Sequence, residues 1–266
     1  MSLNVLTEGS GAPLLLLHGF TGSARMWSLQ VEAWSADHRV IAPDLLGHAG
    51  SDAPAEPAAY ALERQATSLV DLLALLEAEP ATIVGYSMGA RLALVLALEH
   101  PRSVAQLVLE SPSAGIADAT ERAARREADE RLALEIERDG TDAFVERWES
   151  LPIFASHAGL PADLESHQRA ERRRHTATGL AASLRGAGQG VMSPLHDRLA
   201  LITSPTLVVA GALDAVGADR ARVVAERIPD ARLEVVDGAG HTPHLERPDT
   251  FERIIDEFLT SSPVPA

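Results

Sequence analysis

Ala81-Thr-Ile-Val-Gly-Tyr-Ser-Met-Gly-Ala-Arg91 is the stretch from which the rest of the chain can be read. The apolar pair Ile83-Val84 has the character of a buried strand and stops at Gly85. Ser87 and Gly89 follow, and Arg91-Leu-Ala-Leu-Val-Leu-Ala-Leu98 then runs as a helix. The pattern is G-x-S-x-G between a strand and a helix, the context in which a serine is held on a sharp turn with its hydroxyl raised above a sheet. Glycines at 85 and 89 suit such a turn, because side chains there would crowd neighbouring elements. The Met88 N–H opens the helix and can point at a developing negative charge. A Gly-rich turn in an ordinary βα unit would look similar, so the pentapeptide needs partners elsewhere.

At 266 residues the chain can form one large α/β domain with an inserted subdomain. A formal net charge of −15 and an isoelectric point near 5.0 argue against nucleic acid and anionic membrane as partners. Every basic side chain is Arg, with no Lys anywhere. The absence of Cys excludes disulfides, thiol catalysis and Cys-ligated metals. Met1-Ser-Leu-Asn-Val-Leu-Thr-Glu8 lacks a basic segment followed by a long apolar one, and no run reaches membrane-spanning length. A cytoplasmic setting is therefore expected.

Taken in order, Pro13-Leu-Leu-Leu-Leu17 reads as a buried strand ending in His18-Gly-Phe-Thr-Gly22. Continuous apolar strands belong to parallel sheets covered on both faces. Phe20 follows this His-Gly turn, and His18 is expected to hold the loop. Arg39-Val-Ile-Ala42 is the next strand, leading into Pro43-Asp-Leu-Leu-Gly-His-Ala-Gly-Ser51. Leu62, Leu69, Leu72, Leu73 and Leu76 mark a helix that Pro80 closes. Val104 to Leu109 is a strand, after which the chain turns charged and helical until about Gly190. Strands resume at Thr206-Leu-Val-Val-Ala210 and Arg232-Leu-Glu-Val-Val236. The helical block thus interrupts a sheet, and is expected as a cap over the carboxyl ends of the strands, where open α/β sheets bind ligands. Residues 1–112 and 191–266 would form the core and 113–190 the cap. The tail Ser261-Ser-Pro-Val-Pro-Ala266 is expected to be loose.

A serine acting as nucleophile or base needs an imidazole, held in turn by a carboxylate. One strand end carries Gly211-Ala-Leu-Asp214 and the next Asp237-Gly-Ala-Gly-His241, both on the sheet edge of Ser87. Ser87, Asp214 and His241 follow the chain order of the α/β-hydrolase fold. Its early His-Gly turn and its D-x-x-G-x-G-x-S loop also resemble those of this chain. Asp219 and Asp237 are rival acids, one expected at a helix start and one in a loop; His244, at the opening of a short helix, is the rival base. The fold expected is a mostly parallel twisted sheet flanked by helices, with an inserted helical cap. Ser at position 87 disfavours an aspartyl-ester mechanism.

Within that fold the sequence resembles, nearly end to end, the 2-succinyl-6-hydroxy-2,4-cyclohexadiene-1-carboxylate synthase family of menaquinone biosynthesis. The matching pieces are Gly85 to Arg91, Leu109-Glu-Ser-Pro-Ser-Ala-Gly-Ile116, and Glu121-Arg-Ala-Ala-Arg125 with Asp129 downstream. Trp148-Glu-Ser-Leu-Pro-Ile-Phe154 and Arg174 leading into Gly179 to Gly188 complete them. The resemblance implies elimination of pyruvate from a small cyclohexene polycarboxylate, without metal or organic cofactor. It implies Ser87 as base, activated by His241 that Asp214 orients, and an oxyanion hole from the Phe20 and Met88 N–H groups. It implies substrate contacts from Tyr86, Arg91, Arg125, Trp148 and Arg174.

Elementary physics agrees with part of this. Arg91 in the first turn of a helix opposes the helix dipole, so its place suggests a ligand rather than helix stability. Converging arginines bind carboxylates bidentately and offset the repulsion an acidic protein exerts on an anion. Arg122, Arg126, Arg172 and Arg173 are expected on solvated helix faces. The chain departs from the family at Ala90, at Gln189 within Gly188-Gln-Gly190, and at Met192-Ser-Pro-Leu-His196, which bear on the pocket floor. The alternatives are a serine carboxylesterase or carbon–carbon bond hydrolase with the same triad, and a non-catalytic binding protein on the same fold. A monomer or weak dimer is expected.

Overall fold

The computed structural model describes residues 1–261. In chain order its elements begin with β1 (Val5–Glu8), β2 (Ala12–Leu17), α1 (Ser28–Trp34), β3 (His38–Pro43), α2 (Leu62–Leu75), β4 (Ala81–Tyr86), α3 (Met88–Glu99) and β5 (Val104–Glu110). An insertion follows, made of α4 (Ala119–Glu149), the 3-10 stretch Pro152–Gly159, α5 (Ala162–Arg172) and α6 (Ala177–Ala187). The chain returns through β6 (Thr206–Gly211), α7 (Ala215–Arg227), β7 (Ala231–Val236), α8 (Pro243–Glu246) and α9 (Pro248–Ser261). The seven strands form one sheet in the order β1-β3-β2-β4-β5-β6-β7, parallel except for β1, which runs antiparallel to β3.

The four consecutive leucines of β2 show why the sheet needs cover on both faces. Leu15 and Leu17 pack with Ile83, Leu107 and helices α2 and α3, while Leu14 and Leu16 pack with Val84, Val108 and α9 on the other side. All four leucines are essentially inaccessible, and each contributes about 2 kcal/mol by leaving water. The α9 helix closes the second face with Phe251, Ile254, Ile255 and Phe258, an i, i+3, i+4, i+7 stripe. A charge in that stripe, such as Phe251→Asp, would break the layer.

The insertion has its own small core. Ala133, Ile136, Phe144, Val145, Leu180, Ala181 and Leu184 are buried together, with Phe20 and Trp148 packed against them. The α4 helix is bent at Gly140, where φ is 81° and helical geometry lapses, and the bend brings Phe144 and Trp148 over the core side. At the seam between core and insertion, His48 sits edge-on to His18 and His175, with ring centroids 5.0 and 5.2 Å away. His175 accepts the Ala49 N–H through Nδ1 and donates from Nε2 to the Thr21 carbonyl. Among the described residues no helix is long and apolar enough to cross a membrane. Of the expected tail, Ser261 ends α9, and residues 262–266 lie outside the described residues.

Candidate active site

Ser87 joins β4 to α3 with φ 52° and ψ −102°, a region that costs a non-glycine residue on the order of 1–3 kcal/mol. The surroundings over-determine it. Its N–H donates to the Glu110 carbonyl on β5, and its own carbonyl accepts the Arg91 N–H of the first helical turn. Gly89 is obligatory, since a Cβ there would lie 2.0 Å from the Leu17 carbonyl oxygen. Gly19 likewise lets the loop after β2 approach, because a Cβ would meet the Tyr86 ring at 2.6 Å. Phe20 and Met88 line the same cavity as Ser87. Among the described residues no protein acceptor takes either N–H.

The imidazole of His241 completes the line. Its Nε2 lies 3.2 Å from Ser87 Oγ and its Nδ1 donates to Asp214 Oδ2 at 2.7 Å. Asp214 caps α7, its other oxygen accepting the Gly217 N–H at 2.9 Å. His241 foremost, with the Gly217 N–H and the charge of Arg220, holds the Asp214 carboxyl below its usual range against partial burial. The rivals fall elsewhere. Asp219 lies within α7 and Asp237 in the turn after β7. His244 is buried at the opening of α8, where its Nδ1 pairs with Glu110 at 2.9 Å. His18 is also spoken for: Nδ1 donates to the Gly19 carbonyl and Nε2 accepts the Leu45 N–H. Burial pushes its pKa down to about 4, so it holds two loops together as a neutral ring.

Above this line lies a cavity of about 780 Å³, within the range of small-molecule sites. Phe20, Tyr86, Ser87, Met88, Trp148 and His241 are among its walls, and three guanidinium groups reach it, those of Arg91, Arg125 and Arg220. Arg91 is 6% exposed, donates to the Ala187 carbonyl at 2.6 Å and, among the described residues, pairs with no carboxylate. Burial, with Arg125 nearby, pushes its pKa down to about 10, the signature of a cation awaiting a counter-charge. Arg125 pairs with Asp129 at 2.7 Å while remaining partly exposed. The Tyr86 ring lies against His241 and His244, and burial, aided by the charge of Glu110, raises its hydroxyl well above the usual range. Trp148 stacks edge-on with Phe20, so it serves both the insertion core and the cavity wall. Gln189 lies in the wall, and Met192 sits behind Arg91 with its sulfur 4.0 Å from the guanidinium.

The structure redistributes the other arginines. Arg174 does not reach the cavity: it is 39% exposed and pairs with Glu171 at 2.6 Å. Arg172, expected on a solvated face, is instead 6% exposed, pairs with Glu149 at 3.2 Å and lies 5.7 Å over the Phe154 ring. The reason is local: Arg172 ends α5 on its buried face with Gln168 and Glu171, whereas 173 and 174 follow in the exposed turn. Arg122 is half-buried and donates to the Ile116 and Ala117 carbonyls, while Arg126 and Arg173 lie exposed as expected. Arg220, on the second turn of α7, carried no motif that could have singled it out.

Similarity to known proteins bears on the family and the fold. The family description for the alpha/beta hydrolase fold matches residues 12–248. A protein of Bacillus subtilis (strain 168), named provisionally as a 2-succinyl-6-hydroxy-2,4-cyclohexadiene-1-carboxylate synthase, is 39% identical over 259 residues, covering 97% of this chain and 94% of its own. The structure of MenH from S. aureus superposes with a TM-score of 0.92 at 30% identity, covering 98% of both chains. A malate-bound thermophilic esterase from Thermogutta terrifontis gives 0.85 at 28% identity, covering 98% of this chain and 93% of that one. This chain belongs to the 2-succinyl-6-hydroxy-2,4-cyclohexadiene-1-carboxylate synthase family of the alpha/beta hydrolase fold.

Proposed function

We propose that the protein is a carbon–oxygen lyase. It eliminates pyruvate from 2-succinyl-5-enolpyruvyl-6-hydroxy-3-cyclohexene-1-carboxylate to give 2-succinyl-6-hydroxy-2,4-cyclohexadiene-1-carboxylate. Ser87 Oγ takes the proton from ring carbon 2, with His241 Nε2 receiving the serine proton and Asp214 steadying the imidazolium. The broken C–H pair becomes the new ring double bond at carbons 2 and 3. The old double bond moves to carbons 4 and 5, and the carbon–oxygen bond at carbon 5 breaks to release enolpyruvate, which becomes pyruvate on protonation. Carbon 2 is adjacent to the succinyl ketone, so charge collects on that oxygen during proton removal. The Phe20 and Met88 N–H groups are the donors for it. Arg91 and Arg125 take substrate carboxylates, Tyr86 and Trp148 bound the ring, and residues 113–190 act as the cap over a core of 1–112 and 191–266. A small polycarboxylate substrate and a cytoplasmic setting go with this reading.

What supports it most is Arg91, a buried cation facing the same cavity as Ser87 with no carboxylate of its own. An esterase for neutral substrates gains nothing from such a group. A serine carboxylesterase remains the second reading, favoured by the likeness to the Thermogutta terrifontis enzyme and by donors that serve a tetrahedral intermediate as well as an enolate. Incubation with the cyclohexene substrate and, separately, with short-chain aryl esters separates the two. Pyruvate release without an acyl adduct on Ser87 is expected. Brisk ester turnover with a trapped acyl-Ser87 and no pyruvate would overturn the lyase reading.

A further inference from the structure

His241 sits on a loop between β7 and α8 that has little regular structure of its own, yet its ring must hold two hydrogen bonds at once. The loop is pinned from behind by one carboxylate. Glu246, 8% exposed and absent from the cavity wall, accepts the Gly240 N–H through Oε2 at 2.7 Å. Through Oε1 it accepts the Thr242 N–H at 3.1 Å and the Thr242 hydroxyl at 2.8 Å. The peptide joining 241 to 242 is gripped at its other end too, since the His241 carbonyl accepts the Ser111 hydroxyl at 2.9 Å. The peptide that follows the histidine is therefore held at both ends, and the one that enters Gly240 is held at its N–H.

The same carboxylate reaches the insertion. The Ser156 hydroxyl lies beside Glu246 at Gly240, and His157 Nε2 lies 2.6 Å from Thr242 Oγ1. The single Thr242 proton is committed to Glu246, so His157 is the donor in that contact, with its proton on Nε2. Burial foremost, with the charge of Arg172 adding to it, pushes the His157 pKa down to about 4, so the ring is neutral near pH 7. Although burial works against it, the Gly240 N–H and the Thr242 and Ser156 donors hold the Glu246 carboxyl below its usual range. An ionised acceptor makes these bonds shorter and stronger than neutral ones. Ser156 and its neighbours Ile153, Phe154 and Ala155 line the cavity.

We propose that Glu246 is the positioning residue for His241, fixing the imidazole on Ser87 and tying it to the Ile153–Ser156 wall of the cavity. It touches neither substrate nor the reacting atoms. The proposal rests on His241 activating Ser87, but not on which substrate is used.

The experiment compares Glu246→Gln, Thr242→Val, Thr242→Ser and His241→Ala with the wild type. Each is assayed for kcat and KM on the cyclohexene substrate. The proton NMR signal of the His241 Nδ1–H donated to Asp214, assigned by its loss in His241→Ala, is followed in parallel. Glu246→Gln keeps the shape but replaces one acceptor with an NH₂ group, and kcat should fall at least about tenfold, ~1.4 kcal/mol. KM should move less than about threefold and the low-field signal should broaden or shift. Thr242→Val should show a smaller loss of the same kind, and Thr242→Ser should restore wild-type kcat. Wild-type kcat and an unmoved signal in a folded Glu246→Gln would overturn the proposal. Should that variant fail to fold, Thr242→Val decides: wild-type kcat in it overturns the proposal, and a loss rescued by Thr242→Ser upholds it. Failure of the underlying reading looks different, because His241→Ala would then retain turnover.

Discussion

On the core side of the cavity, Ser87, Asp214 and His241 each follow the end of a strand; main-chain groups hold the first two, and the Glu246 and Ser111 side chains hold the loop of the third. Ser87 is bonded to Glu110 and Arg91 through main-chain atoms, and Asp214 takes the Gly217 N–H. On the insertion side, position is set by side chains. Arg125 pairs with Asp129, Arg172 with Glu149, Arg174 with Glu171, and Arg185 with both Glu130 and Glu137. Backbone bonds in a buried sheet hold at any salt, whereas half-exposed ion pairs are screened and worth little singly. On the proposed reading the chemistry rests on the core wall, and the insertion adds carboxylate binding through Arg125 to that of Arg91 on α3.

The comparison breaks first if the core wall is not a unit. Ser87→Ala and His241→Ala should each lower kcat by about 10³-fold or more, and the double variant should be scarcely worse than either. Multiplicative losses would mean that the two side chains work apart. On the insertion wall, Arg125→Ala should cost about 2–5 kcal/mol in kcat/KM with the natural substrate, while Arg126→Ala should be near neutral. Equal effects at 125 and 126 would remove the assignment of Arg125.

The seam between the walls should fail in acid. His18 and His157 have pKa values lowered from 6.5 to about 4, and burial lowers His48 and His175 as well. A lowered folded pKa means that the unfolded chain binds more protons between those values. Stability is then complete above pH 6.5 and is lost as pH falls toward 4, by on the order of 3 kcal/mol each for His18 and His157, with His48 and His175 acting in the same direction. Denaturant midpoints taken across that window test it, and a flat profile would refute it. The smallest effect expected is at Arg174: Arg174→Ala should change stability by roughly 1 kcal/mol or less and leave kcat/KM intact. A large loss of kcat/KM there would restore Arg174 to the substrate site.

Legibility follows the same division. The leucine run of β2, the elbow at Ser87 and the strand-end Asp214 and His241 could be read because strand burial and turn chemistry are local properties of sequence. The β1 strand escaped, being four residues long, half polar and paired antiparallel at the sheet edge. Arg172, Arg173 and Arg174 are identical neighbours, and only the point at which α5 ends decides which is buried. Arg220 and Glu246 owe their places to contacts with residues close in space that no spacing announces.

The buried charge of Arg91, unpaired with any carboxylate among the described residues, has a practical consequence for handling the protein. A cation held by a single carbonyl makes every small oxyanion in the buffer a competitor for the cavity. By mass action, a free anion at a hundred times its dissociation constant adds about 2.7 kcal/mol to the folded state. Phosphate, sulfate or citrate should therefore raise the melting temperature while depressing kcat/KM, so the most stabilising storage buffer is the poorest assay buffer.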